Sequence, residues 1–119
     1  LEEGRRFGEL ERRLANLINR DNVSVKELIK YSSIYVQQLQ DYEAALSILE
    51  DLYPKNYKNP EVIGLLVKVY EATENYGSAV EILDDWLRFN PKDKSAASMR
   101  DLYKSKIPKP DEAEKDTVG

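Results

Sequence analysis

The side chains of this chain that could do chemistry are carboxylates. Glu50-Asp51 and Asp84-Asp85 are adjacent acidic pairs spaced 34 residues apart. Paired carboxylates are the raw material of general acid–base catalysis and of hard-metal binding. Adjacent residues on a helix point in different directions, so neither pair converges on one point. Both pairs therefore read as solvated helix faces. The chain has no histidine and no cysteine, which removes the commonest neutral-pH base, the commonest metal ligand and all thiolate chemistry. Its five glycines are scattered and build no phosphate-cradling loop. Serines and lysines occur, but no motif brings them together. These residues point away from an enzyme, and no cofactor and no metal are expected.

The spacing of the acidic pairs belongs to a larger pattern. Residues 26–59 and 60–93 align without a gap at an offset of 34. Glu27/Glu61, Ile29/Ile63, Tyr42/Tyr76, Ala45/Ala79, Ile48/Ile82, Leu49/Leu83, Asp51/Asp85, Asn56/Asn90 and Lys58/Lys92 are identical. Leu46/Val80, Glu50/Asp84 and Asp41/Asn75 are conservative. A period of this length marks stacked helical repeats, in which each unit leaves an apolar face that its neighbour buries.

Helical periodicity runs through almost the whole chain. Phe7, Leu10, Leu14, Leu17 and Ile18 form one stripe over residues 2–19. Ser24 caps a second helix, with Glu27 as its capping-box partner, running to about Leu39. A third starts at Asp41 and is ended by Pro54 and the polar run after it. Asn59-Pro60 opens a fourth, Asn as N-cap and Pro at the first helical position. Glu74-Asn75 turns the chain into a fifth, which Asn90-Pro91 stops. Asp93 caps a sixth over about 94–106. The tail 107–119 is polar and aromatic-free and is expected to be disordered.

The expected fold is all-α: a right-handed αα-hairpin solenoid of about six helices, occupying residues 1–106. A closed bundle is the alternative, but it does not account for the period.

Composition narrows the partners. The chain has 119 residues, a net charge of −4 and a pI near 5.0. Nucleic-acid binders usually carry a basic face, and Arg5-Arg6 and Arg12-Arg13 are interleaved with Glu2, Glu3, Glu9 and Glu11. No nucleic acid is expected as partner. No apolar run approaches the ~20 residues that span a bilayer, so no membrane contact is expected of this segment. Cysteine-free chains suit cytoplasm and periplasm alike, which leaves the compartment open. Position 1 is Leu rather than Met, which reads as a piece of a longer protein.

The second unit, Pro60 to Asp93, resembles a tetratricopeptide repeat. Ile63, Leu66 and Tyr70 match that family's helix A positions; Tyr76, Ala79 and Leu83 match helix B; Pro91 matches the terminator. The first unit is similar through Ile29, Val36, Tyr42, Ala45 and Leu49. It departs at Ser32, where Leu is usual, and at Tyr57, where Pro is usual. The resemblance covers about residues 4–106, with partial units at both ends. Where the family usually has a small residue, Trp86 is expected to wedge into the core against Ala96 and Ala97.

By the same resemblance, helix A lines a concave groove. It implies partner-binding positions at Lys30, Tyr31, Ile34 and Gln38 in the first unit, Glu61, Leu65 and Lys68 in the second, and Met99 in the last helix. An apolar centre with a charged rim suits a protein or peptide partner with apolar anchors. The bland alternative is that Ile34 and Leu65 simply pack on one another. A subfamily clamp for carboxylate tails would need Lys, Asn, Asn, Lys and Arg where this chain has Lys30, Ile34, Leu65, Ser95 and Met99. Only Lys30 fits, and apolar side chains cannot pair a desolvated carboxylate. The implied role is an adaptor or scaffold module. Self-association into a homo-oligomer, or service as an appendage of a larger enzyme or membrane protein, are the alternatives.

Overall fold

A computed structural model of the chain describes residues 2–20 and 22–108, with side chains from Gly8 onward. The Phe7 side chain and residues 109–119 of the expected disordered tail lie outside the described residues. Six α-helices follow in order: α1 (Glu2–Ile18), α2 (Val25–Ile34), α3 (Tyr42–Asn56), α4 (Pro60–Ala72), α5 (Tyr76–Phe89) and α6 (Lys94–Lys106). Among the described residues there is no strand. The fold is all-α and built from helical hairpins.

Local chemistry explains where the helices begin. Ser24 and Glu27 form the reciprocal capping box: the Glu27 amide donates to Ser24 Oγ at 3.1 Å, and the Ser24 amide donates to Glu27 Oε1. Asp41 and Asp93 accept from the amides of Ala44 and Ala96 at 3.2 and 3.1 Å. Asn59 accepts from the Glu61 amide at 2.9 Å, with Pro60 next to it where a missing N–H costs nothing. Each cap satisfies amides that the first helical turn leaves without a partner.

The helix ends hold two departures from expectation. The second helix does not run regularly to Leu39. It widens into a π-helical turn over Tyr35–Leu39, whose first carbonyl accepts from the amides of both Gln40 and Asp41. Pro54 does not end α3, which continues to Asn56. The reason is position: a proline in the last turn deletes only its own amide bond, and nothing downstream depends on it. Asn56 then closes the end, its side-chain amide donating to the Leu52 carbonyl at 2.8 Å. Gln40 and Glu74 both take left-handed backbone, at φ 52° and 58°. They sit one repeat apart, so the chain reversal recurs with the period.

The chain divides into two compact units, residues 1–65 and 66–119, with the division inside α4. In the first, α2 packs against α1 and α3. Its buried set includes Leu14, Ile29, Tyr35, Val36, Ala45, Leu49, Leu52 and Val62. In the second, α5 packs on α6, and Leu66, Val69, Ala79, Leu83, Ala96 and Tyr103 are buried. Ala45 and Ala79 have no exposed surface at all. A larger side chain at either place has nowhere to go.

Candidate protein-binding surface

The first unit presents its candidate residues on α2 and the π turn. Lys30 and Gln38 are exposed, and Ile34 is half-buried. Tyr31 is only 7% exposed, so its ring belongs to the packing of α2. Its hydroxyl donates to Glu27 Oε2 at 3.0 Å, and the same carboxylate receives the Arg20 guanidinium. Arg20 also donates from Nε to the Leu17 carbonyl at 3.2 Å. The end of α1 is thereby tied to the start of α2. The Tyr31 hydrogen bond, assisted by Ser24 and Arg20, holds the Glu27 carboxyl below its ordinary range. Burial, then the Glu27 hydrogen bond and charge, push the Tyr31 phenol up. Glu27 and Tyr31 thus serve the corner between two helices.

Helix α4 is two-sided. Val62, Ile63, Leu66, Val67, Val69 and Tyr70 are buried, while Glu61, Gly64 and Lys68 are exposed and Leu65 is half-buried. The outward residues fall at intervals of three and four, which puts them on one stripe. A Cβ built on Gly64 would meet nothing within 4 Å. The chain's own packing therefore does not require a glycine there.

The second unit fixes α6 by its inner face and leaves its outer face open. The Tyr103 hydroxyl donates to Glu71 Oε2 near the end of α4. Its ring stacks on Tyr76, with centroids 5.9 Å apart and planes inclined by 21°. The Lys106 ammonium lies 5.2 Å from the centroid of the Tyr76 ring. Burial and then the Glu71 hydrogen bond push the Tyr103 phenol up to about 12. Beside this packed face Met99 is 36% exposed, and Leu102 is 53% exposed.

Trp86 reaches toward α6 as expected but is less deeply buried than a core wedge would be. It is half-buried rather than buried, and its indole N–H donates to Asp93 Oδ2 at 2.9 Å. The indole needs that partner, and the N-cap carboxylate of α6 supplies it. This bond, with the Ala96 amide, holds the Asp93 carboxyl below its usual range.

The acidic pairs take ordinary surface roles. Asp84 meets Arg100 at 3.5 Å, Asp85 meets Arg88 at 3.3 Å, and Glu50 and Asp51 are exposed. Among the described residues no group of three or more potential ligands could hold a metal ion, and no helix is long and apolar enough to cross a membrane.

Sequence reasoning did not find the Tyr103–Glu71 bond, whose partners are 32 residues apart. No local pattern signals such a pair. The exposure of Gly64 was legible in principle, since it stands where the first copy has Lys30.

A tetratricopeptide repeat family model matches residues 37–102, more than half of the chain. No curated protein and no solved structure matches it. The matched span takes in α3, α4, α5 and most of α6, and so covers the second copy of the 34-residue repeat whole and the later part of the first. The chain belongs to the tetratricopeptide repeat family, whose members are generally protein–protein interaction modules.

Proposed function

We propose that this chain is an adaptor module that binds a peptide segment of a partner protein through exposed and half-buried positions of its helix A elements. Those positions are Lys30 and Gln38 in the first repeat, Glu61, Leu65 and Lys68 in α4, and Met99 in α6. The observation that carries the reading is the two-sidedness of α4. Its apolar residues are spent on the fold, and what remains outward is a short stripe of mixed charge around a half-buried leucine. Such a stripe offers an apolar anchor point with charged flanks, the usual make-up of a recognition surface. Tyr31 has no part in this proposal, because its ring is buried and its hydroxyl is taken. Repeats of this family are typically non-catalytic, and the scattered carboxylates here give no reason to depart from that.

The experiment is a peptide-display selection against the folded protein, followed by calorimetry with the peptides recovered. Lys68→Glu and Met99→Asp are tested beside the wild type, with far-ultraviolet circular dichroism as the check on folding. The expected result is that binding weakens by about tenfold or more in at least one variant while helicity is kept. Undiminished binding of every recovered peptide to both variants would remove these positions from the site.

A further inference from the structure

The outward stripe of α4 has a symmetry that peptide binding does not require. Glu61 and Lys68 lie seven residues apart on one helix face, opposite in charge, with Gly64 and Leu65 between them. Glu61, Gly64 and Lys68 are exposed. Among the described residues neither Glu61 nor Lys68 has an ionic partner. The glycine sits in a helix interior, where it is costly, and the chain's own packing leaves open the space its missing Cβ would fill.

From this juxtaposition we infer that α4 pairs antiparallel with α4 of a second copy of the chain, on a two-fold axis passing between residues 64 and 65. In a two-fold contact the same patch serves both partners, so it must be complementary to its own inverse. This stripe is. The axis sets Glu61 of one copy against Lys68 of the other, twice over. It also sets Leu65 of each copy into the hollow left by Gly64 of the other, which lets the two backbones approach closely. A parallel pairing would oppose Glu61 to Glu61 and Lys68 to Lys68, so the charges choose the antiparallel one. The inference does not rest on peptide binding, although the two would use overlapping residues. A second copy on this stripe would cover it, so the dimer is the closed form of the surface.

One helix crossing buries less than the ~1,200 Å² of a standard stable interface. The dimer is accordingly weak, with a dissociation constant on the order of 100 µM. Sedimentation equilibrium of the whole chain, from low micromolar to millimolar concentration and without any peptide, is the test. The expected weight-average mass rises from the monomer's 13.7 kDa toward roughly twice that value. Glu61→Lys alone and Lys68→Glu alone each bring two pairs of like charges together, and each weakens the dimer by about tenfold or more. An equimolar mixture of the two variants restores it, because both cross-contacts of the mixed dimer are again opposite in charge. Gly64→Gln, which fills the hollow with a good helix former, weakens it without unfolding the chain. Circular dichroism of each variant shows that the fold is kept. A strict monomer at the highest concentration overturns the inference. So does a dimer indifferent to the single charge reversals, or one that the mixture fails to restore. Failure of the display selection would leave this result standing, and the reverse holds as well.

Discussion

Tyr103 and Asp93 are the side chains whose titration the fold alters in ways that can be read from outside. Tyr103 is 2% exposed and its phenol is raised from the ordinary 10.0 to about 12. A raised folded value means that folding favours the neutral phenol. That contribution is complete below pH 10 and is lost as pH rises from there through about 12. Tyr103→Phe keeps the ring but removes the proton. Its alkaline denaturation, followed by circular dichroism, is expected to start from a lower stability and to fall less steeply over that range. Equal slopes for variant and wild type would deny the phenol this role. Asp93 has the opposite sign. Its folded value is depressed below 3.8 by the Trp86 indole and the Ala96 amide, so its contribution is present above that pH and disappears as pH falls below it. Asp93→Asn keeps a capping oxygen and loses the charge. Acid unfolding, monitored by fluorescence of Trp86, the chain's single tryptophan, should show a flatter low-pH limb in the variant.

At the scale of elements, the repeat fixes which positions bear packing and which are free. Ala79 has no exposed surface, and Ala79→Leu should cost about 1–3 kcal/mol by overpacking the hairpin. Urea denaturation measures it; a loss below a few tenths of a kcal/mol would mean the site can open. Gly64 predicts the reverse. Its missing Cβ would meet open space, so Gly64→Ala should raise stability by about 0.5–1 kcal/mol, read as a higher midpoint in the same experiment.

Much of this level was legible in the sequence. Capping chemistry is local, so Ser24, Asn59 and Asp93 announce their helices, and Ala45/Ala79 declare a close contact by size and recurrence. What stayed hidden was decided by non-local geometry or by position within a turn. Pro54 looks like a terminator, but it falls where only one bond is at stake. Tyr31 falls at a groove position by analogy with the family, yet Arg20 and Glu27 draw its hydroxyl into the corner between α1 and α2. Trp86 looks like a wedge until its indole nitrogen needs an acceptor, and Asp93, seven residues on, provides one. The candidate surface could be named from the sequence only as positions, by analogy with the family. The exposure of each one depends on packing that periodicity alone does not resolve.

On the scale of the whole molecule, the most extensive helix contacts among the described residues, α2 with α3 and α5 with α6, join neighbours along the chain. Contacts between sequence neighbours close short loops, and the entropy lost in closing them is small. Chains of this kind fold within roughly microseconds to milliseconds. Refolding from urea in a stopped-flow instrument is expected to be complete within ~10 ms; a dominant phase of seconds would contradict it. The same arrangement has a consequence during synthesis. By the time Asn56 has left the ribosome, α1, α2 and α3 hold all the sequence needed for the contacts of α2 with α1 and α3, so the first hairpin can close before the second has emerged. At ordinary elongation rates of ~5–20 residues per second, one 34-residue repeat takes a few seconds to make, so the hairpins emerge in turn rather than together. Each apolar face therefore waits only that long before the next unit is complete.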